Sequence, residues 1–315
     1  MFIIGKGDRV DVMKKWELFT VSIVAIIKNE GLYIKEWLDY HRMIGVQKFY
    51  LYDNGSDDDT YSVLQEYINE GVVEYSFFPG EKKQLQAYND AVRRHRFQSK
   101  YMLFLDCDEF VRSTNEKSLA ENIEEIVCLH PHAGGIGIGW RMFGSSKREE
   151  KAEEGVLRGY TWRTDDDYFE NEHVKIIVNP RRIIKVVNPH QAYYLHGYTV
   201  VDENGNKKYG PRFKTTRRKL CINHYFCKSK EEWIKRRSMG KADMIGTRTL
   251  EEFERVNRYE KIEDRDILKS KYAISPVYVK TNIEYWILIL SFFEDLVKTG
   301  LMVMADRVLG KKYRW

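Results

Sequence analysis

Two aspartates separated by one residue, Asp106 and Asp108 around Cys107, follow directly on the apolar run Tyr101-Met102-Leu103-Phe104-Leu105. Such a run reads as a strand, and the residues at its carboxyl end stand on the rim of a sheet. If extended geometry persists past Leu105, the alternation of side chains directs Asp106 and Asp108 to one face and Cys107 to the other. Two carboxylates then converge. Oxygen donors suit a hard divalent cation such as Mg²⁺ or Mn²⁺, and a site with few protein carboxylates leaves positions for diphosphate oxygens and water. A bare Asp-x-Asp is equally the mark of a solvated turn or a helix cap, so its weight depends on the surrounding elements.

Those elements alternate. Val21-Ser22-Ile23-Val24-Ala25-Ile26-Ile27 is a nearly continuous β-branched run, the pattern of a strand buried on both faces in a parallel sheet. Ile34, Trp37 and Leu38 then fall at helical spacing, and Gly45 supplies a stop before the strand Lys48 to Tyr52. His41 lies on the same helical face and reads as a core histidine. The polar turn Asp53-Asn54-Gly55-Ser56-Asp57-Asp58-Asp59 follows, with Ser56 and Asp59 at capping-box spacing for a helix through Tyr67. Capping explains Ser56 and Asp59 but not Asp53. The carboxylates and amide of this turn, Asp53, Asn54 and Asp58, could hold a nucleobase or ribose. A strand from Val72 to Phe77, a helix from Gln84 to Phe97 with Gln84 and Tyr88 on one face, and the strand Tyr101 to Leu105 complete the series. This order predicts a doubly wound α/β sheet that binds ligands beyond the carboxyl ends of its strands, and it puts the Asp53 turn and Asp106 on one rim.

Beyond Glu109 the pattern is less regular. A helix is expected from Ser118 to Leu129, a glycine-rich strand from Gly134 to Trp140, and a strand from Lys219 to Asn223. The polar stretch Ser145 to Glu154 between them has the length of a lid, a binding loop or a mobile excursion. From about Lys230 the chain reads as helical, opened by Ser229 and Glu232 at capping-box spacing.

Composition bounds the function classes. With 315 residues, of which 43% are hydrophobic and 14% aromatic, the chain can bury a full core, which excludes a disordered protein. The net charge of +5 is a small excess over many acids, so the surface is mixed and nucleic acid is not demanded. Cys107, Cys128, Cys221 and Cys227 lack paired spacing, and no charged-then-apolar leader opens the sequence, so a reducing cytoplasm is expected. No apolar run reaches the roughly 20 residues that span a bilayer.

The chain resembles the GT-A glycosyltransferases, close to family 2 and especially to the family 92, or DUF23-like, branch. The resemblance rests on Ile27-Lys28-Asn29-Glu30 with Glu36-Trp37 and Tyr40-His41, on Tyr52-Asp53-Asn54-Gly55-Ser56-Asp57-Asp58, and on Asp106-Cys107-Asp108-Glu109-Phe110. Downstream it includes Trp140 to Ser146, Val174 to Pro180, and Asn223 to Ser229 with Glu231-Glu232. It runs from about Val21 to Lys241, and the combination is specific although each piece is weak alone.

The resemblance implies a GT-A catalytic domain over 1–240, with a nucleotide-sugar half at about 20–110 and an acceptor half at about 111–240, and a helical C-terminal extension over 241–315. It implies a UDP-sugar donor, a Mn²⁺ or Mg²⁺ cofactor and inverting transfer of a hexose onto a hydroxyl of a glycan or lipid-linked cell-envelope acceptor. Asn29, Glu30, Asp53, Asn54, Asp58, Gln84 and Asp106 would then face the nucleotide sugar, with Asp106, Asp108 and His224 at the metal. For His224 a buried structural role is the equal alternative. Lys175, Lys228 and Arg236 are candidates to assist departure of the anionic leaving group. Lys175 stands alone among Val174, Ile176 and Ile177, so it either snorkels from an edge or points into a polar site. Arg236 belongs to a charge-rich helix whose ordinary reading is a solvated face. An inverting enzyme needs a base on the acceptor side, for which Glu170 and His190 are the candidates, with Glu109 read as support for Asp108.

Two other functions compete. A sugar nucleotidyltransferase would carry a glycine-rich, basic phosphate loop after the first strand, which Lys28-Asn29-Glu30-Gly31 does not resemble. A nucleic-acid module is suggested by Arg217-Arg218-Lys219 beside aromatic residues, and the acidic rim argues against it. Lastly, Tyr285 to Phe293, Leu301 to Met304 and the terminus Lys311-Lys312-Tyr313-Arg314-Trp315 would either lie on an anionic membrane, at its inner face for a cytoplasmic protein, or pack against the domain or a partner.

Overall fold

The computed structural model describes residues 16–238, 249–280 and 282–308. β1 (Trp16–Ile27) lies at its centre, because Val21 to Ile27 is apolar or small on both faces and every residue in it is buried. Three βα units follow: α1 (Ile34–Met43), β2 (Lys48–Asp53), α2 (Thr60–Asn69), β3 (Val73–Phe77), α3 (Gln84–His95) and β4 (Ser99–Phe104). β1 pairs in parallel with β2 and β4, and β2 in parallel with β3. Alternation along β1 builds a core on each side of the sheet. Val24 and Ile26 pack with Tyr88 and Ala91 of α3, whereas Ile23, Ala25 and Ile27 pack with Trp37 and Leu38 of α1 and Leu64 of α2. Truncating Ile23 to alanine in such a setting costs about 2–5 kcal/mol.

His41 is the core histidine its spacing predicts. Its Nδ1–H donates to the Trp37 carbonyl at 2.8 Å and its Nε2 accepts from the Val111 amide at 3.3 Å. Gly45, at φ +97°, takes the left-handed position just past α1 that a side chain would resist.

The second half adds β5 (Glu109–Ser113), α4 (Leu119–Leu129), β6 (Ala133–Phe143), the short α5 (Val156–Gly159), β7 (Trp162–Thr164), β8 (Val174–Val178), β9 (Ile183–Asn188), β10 (Gln191–Tyr194), β11 (Thr199–Val201) and β12 (Leu220–Tyr225). The sheet order runs β3-β2-β1-β4-β8-β6-β7. β8 is antiparallel to both of its neighbours, β4 and β6. β12 pairs in parallel with β6 and antiparallel with β5. The doubly wound mixed α/β sheet expected from the sequence is therefore the one found. The alternating glycines of β6 have a packing cause: a Cβ on Gly137 would lie 2.2 Å from the Phe213 ring, and one on Gly139 would lie 2.2 Å from the Thr215 hydroxyl. The segment 213–217 lies flat on that face of β6.

The polar stretch after Ser145 is anchored at both ends. The Ser145 and Ser146 amides donate to Asn257 and Glu260, and the Val156 and Leu157 amides donate to Glu36 of α1 at 2.6 and 3.1 Å. The last section holds α6 (Lys230–Ser238), α7 (Leu250–Arg258), β13 (Glu260–Glu263), β14 (Val277–Lys280) and α8 (Asn282–Val308). The Ser229–Glu232 capping box opens α6 as expected, with reciprocal bonds of 3.1 and 3.2 Å. Between its helices the section lays β13 against β7 and β14 against the start of β1.

Candidate active site

β4 ends at Phe104, and the chain turns at Cys107 and Asp108 before β5 begins at Glu109. Strand alternation therefore does not carry through the Asp-x-Asp. The Glu109 amide closes the turn on the Asp106 carbonyl at 3.1 Å, Cys107 is buried in the core, and each aspartate meets its own set of partners.

Asp106 is held from two elements. Gln84 Nε2 of α3 donates to its Oδ1 at 3.0 Å and the Tyr88 hydroxyl to the same oxygen at 3.3 Å. Lys175 Nζ of β8 lies 2.6 Å from Oδ2 and 3.2 Å from Glu109 Oε2. Because β8 runs against β4, its first residues lie past the carboxyl end of β4, and this placement aims Lys175 into the polar site. Burial alone would lower the Lys175 pKa, but Asp106 and Glu109 outweigh it and hold the ammonium well above its ordinary value. Glu109 is fully buried beneath the pair and receives the Asp106 amide at 2.9 Å, so it braces Asp106 and Lys175 rather than Asp108, the partner expected from the sequence. Burial pushes its carboxyl up even beside Lys175. Asp106 itself keeps about a third of its side chain exposed, 36%, so a ligand can reach it.

Asp108 is clamped on both oxygens. His224 Nε2 is 3.5 Å from Oδ1 and Arg236 Nη2 is 2.6 Å from Oδ2. Burial would raise this carboxyl, yet Arg236 and then His224 hold it well below the usual range. The solvated-face reading of Arg236 is thus corrected: α6 turns this residue inward because the aromatic cluster of Phe226, Trp233 and Phe253 seats the helix against the sheet rim. Lys228, in a left-handed backbone conformation at φ +51°, lays its ammonium 4.0 Å from the centre of the Tyr33 ring, and its charge also favours ionised Asp108. A carboxylate and an imidazole side by side are donors that fit Mn²⁺ or Mg²⁺. Among the described residues no three such side chains converge, so the expected set of Asp106, Asp108 and His224 does not assemble as one cluster, and Asp108 and His224 are the two that stand together.

Trp140 joins this pair to His173 and His190. Its ring lies 4.3 Å from that of His224, 4.9 Å from that of His173 and 5.4 Å from that of His190. Its Nε1 is buried without an acceptor. His190 donates from Nδ1 to the Val174 carbonyl at 2.8 Å, which leaves Nε2 as the basic nitrogen of the neutral ring. Burial, reinforced by Lys175, pushes its pKa down to about 3. Glu170 accepts from His173 Nδ1 at 3.0 Å and faces Arg255 at 3.5 Å; the His173 bond holds its pKa low. Both candidate bases thus gather around Trp140, and neither is tuned towards neutrality.

The upstream loops serve mainly each other. Asn29 and Asp57 exchange bonds of 2.7 and 2.9 Å, the Asn29 amide donates to the Ser56 hydroxyl at 2.9 Å, and the Glu30 amide donates to Thr60 at 2.9 Å. Asp58 accepts from the amides of Gly31 and Thr60. The expected Ser56–Asp59 capping box is therefore absent: Asp59 occupies the N-cap position of α2 without a side-chain bond. The parallel pairing of β1 and β2 brings their two loops together, and donors from the first outcompete the local cap. Asp53 is buried and holds the Ser56 amide at 2.7 Å and the Tyr75 hydroxyl at 2.9 Å, so its carboxylate fastens the turn. Asn54 Oδ1 alone in this turn is buried without a partner. Arg217 and Lys219, which suggested nucleic acid, are engaged: Arg217 lies over β6 beside Asp166, and Lys219 pairs with Glu125 at 3.2 Å.

The site thus combines a doubly wound sheet, an acidic turn beyond its fourth strand, a cation against each carboxylate and a histidine at the rim. The chain belongs to glycosyltransferase family 92, whose profile matches residues 19–269. It is 26% identical over 216 residues to a family 92 protein of Oryza sativa subsp. japonica, covering 67% of this chain and 34% of that one. With a family 92 protein of Ricinus communis it shares 28% over 210 residues, covering 65% and 35%. The chain thus spans about a third of the length of these curated relatives. A shorter match, 34% over 97 residues and covering 28% and 19%, is to the galactan beta-1,4-galactosyltransferase GALS2 of Arabidopsis thaliana. Among solved structures, S. aureus TarS 1-349 in complex with UDP aligns at TM-score 0.36 and 17% identity, covering 51% of this chain and 47% of that one.

Proposed function

We propose that the protein transfers a hexose from a UDP-sugar to a hydroxyl of a glycan or lipid-linked cell-envelope acceptor, with inversion at the sugar carbon. The observation that carries this reading is the arrangement of Asp106 and Asp108, each fixed by its own cation while Asp106 remains partly exposed on the sheet rim. The GALS2 name is consistent with a hexose and a polysaccharide acceptor. Asp108 and His224 would hold the Mn²⁺ or Mg²⁺, which when bound supplies positive charge to the diphosphate. Lys228 adds charge to the same region, and Asp106, positioned by Gln84, Tyr88 and Lys175, meets the nucleotide sugar.

On the acceptor side, the hydroxyl oxygen bonds to the anomeric carbon as the bond from that carbon to the diphosphate oxygen breaks, and the proton passes to a protein base. His190 is the better placed of the two candidates, because its free Nε2 belongs to a ring close enough to feel Lys175 and Asp106. Glu170 is committed to His173 and Arg255. The test is release of the corresponding nucleotide, UDP, GDP or CMP, from a panel of UDP-, GDP- and CMP-sugars with Mn²⁺ and an oligosaccharide acceptor. Turnover of UDP-hexoses that collapses in Asp108→Ala is expected, and turnover of CMP-sugars alone would sink the donor assignment.

A further inference from the structure

α8 is a 27-residue helix with two opposed apolar faces, and among the described residues one of them packs on the protein while the other is exposed. On the packed face, Tyr285 and Phe292 meet Phe97 edge-on, Arg96 lies 4.4 Å from the Phe292 ring centre, and Thr299 Oγ1 accepts from the His196 amide at 2.9 Å. The other face carries Ile283, Trp286, Leu290, Val297, Leu301 and Met304, each 60–74% exposed. At about 100° per residue these six fall within an arc of about 60–70°. A contiguous apolar stripe running most of a helix is an interaction surface rather than scattered surface hydrophobicity.

We propose that this stripe lies in the interfacial layer of an anionic lipid bilayer and holds the enzyme flat on the membrane surface. The chain that follows α8 argues for lipid over a second copy: Lys311-Lys312-Tyr313-Arg314-Trp315 brings three cations and two aromatics and no acid, the complement of anionic headgroups and their interfacial boundary. Within the stripe Trp286 has the amphipathic ring that favours this boundary. Among the described side chains the arc holds no charged group, and Glu294, about 20° beyond its edge, is paired with Lys298 at 3.1 Å. No helix of the described residues is long and apolar enough to cross a membrane, and a stripe of this kind lies in the interfacial plane. The inference stands apart from the identity of the donor sugar.

The full chain should float with vesicles of phosphatidylcholine and phosphatidylglycerol, and less with phosphatidylcholine alone or at high salt. Replacing Trp286, Leu290 and Val297 together by serine should lower the partition about tenfold or more at an unchanged melting temperature, since all three are exposed. Leu301→Glu, a single change at the far end of the stripe, should act in the same direction. Charge reversal at Lys311, Lys312 and Arg314 should remove the preference for anionic vesicles while leaving weak binding to neutral ones. Absence of flotation by the native chain, or flotation unaffected by the stripe variants, would overturn the proposal. So would sedimentation as a dimer that these variants dissolve, without vesicle binding, which would assign the stripe to a second copy.

Discussion

Lys175 approaches Asp106 from a strand antiparallel to the one that ends at the acid, with its ammonium fully buried and 2.6 Å from the carboxylate. It also lies 3.2 Å from Glu109, so one cation balances two carboxylates. Lys175→Met should leave Glu109 and Asp106 uncompensated and cost about 3 kcal/mol or more, since removing one partner of a buried pair strands the other charge. Chemical denaturation of the two proteins measures the loss. A midpoint within error of the native one would mean that Glu109 simply takes up a proton at little cost.

Asp108→Asn keeps the size of the side chain and removes its charge, leaving the largely buried Arg236 without its paired carboxylate. Turnover should fall on the order of 10²–10³-fold, and Mn²⁺-dependent binding of UDP should weaken with it. Titrating UDP calorimetrically with and without Mn²⁺ separates the two effects. Metal-independent loss of turnover alone would assign Asp108 to holding Arg236.

Trp140→Phe deletes an N–H that is buried without an acceptor. In the free protein this change should be close to neutral, because relief of an unsatisfied donor, about 1–3 kcal/mol, offsets the lost ring volume. If a sugar hydroxyl is the acceptor the indole lacks, KM should rise several-fold with kcat little changed. An unaltered KM would confine Trp140 to packing His173, His190 and His224.

His190 should act as a neutral ring over the working range, because burial and Lys175 push its pKa to about 3. A base of this kind gives turnover that stays flat as pH falls from 8 to about 5, rather than the limb near 6.5 of an ordinary histidine. His190→Gln should lower kcat strongly and leave the KM for the donor nearly unchanged. A limb near 6.5 that disappears in this variant would show the ring to be solvated when substrate is bound.

Glu260 supplies a stability test free of the chemistry. Burial raises its pKa from 4.5 to about 7, against the opposing bond from the Ser146 amide. Between those values the native protein binds more protons than the unfolded chain, so this residue makes stability fall as pH rises through the window. Glu260→Gln cannot ionise and should lack that contribution. The melting-temperature advantage of the variant should therefore grow from pH 4.5 to 7 and then level off; a constant offset would contradict the shift.

The legible parts of the molecule were those set by local pattern. β1 to β4 and their helices follow from β-branched runs and helical spacing, and of the two readings the isolated charge of Lys175 allowed, an edge or a polar site, the structure has the second. What local pattern could not give was partnership across the sheet. Arg236 sits in a run of charges that describes a solvated helix equally well, and only the seating of α6 selects its inward face. Ser56 and Asp59 satisfy the spacing of a cap, yet the loop after β1 claims the serine. The segments that became β13 and β14 are too short and mixed to announce a strand before a neighbour offers its edge.

The antiparallel course of β8 has a consequence for how this molecule can be altered. The acid proposed to meet the donor follows β4, in the first half of the chain, while the cation paired with it is carried by the half expected to bind the acceptor. Acceptor preference cannot then be changed by exchanging that half wholesale: a graft lacking a lysine at the position of Lys175 would disarm the donor site it was meant to serve.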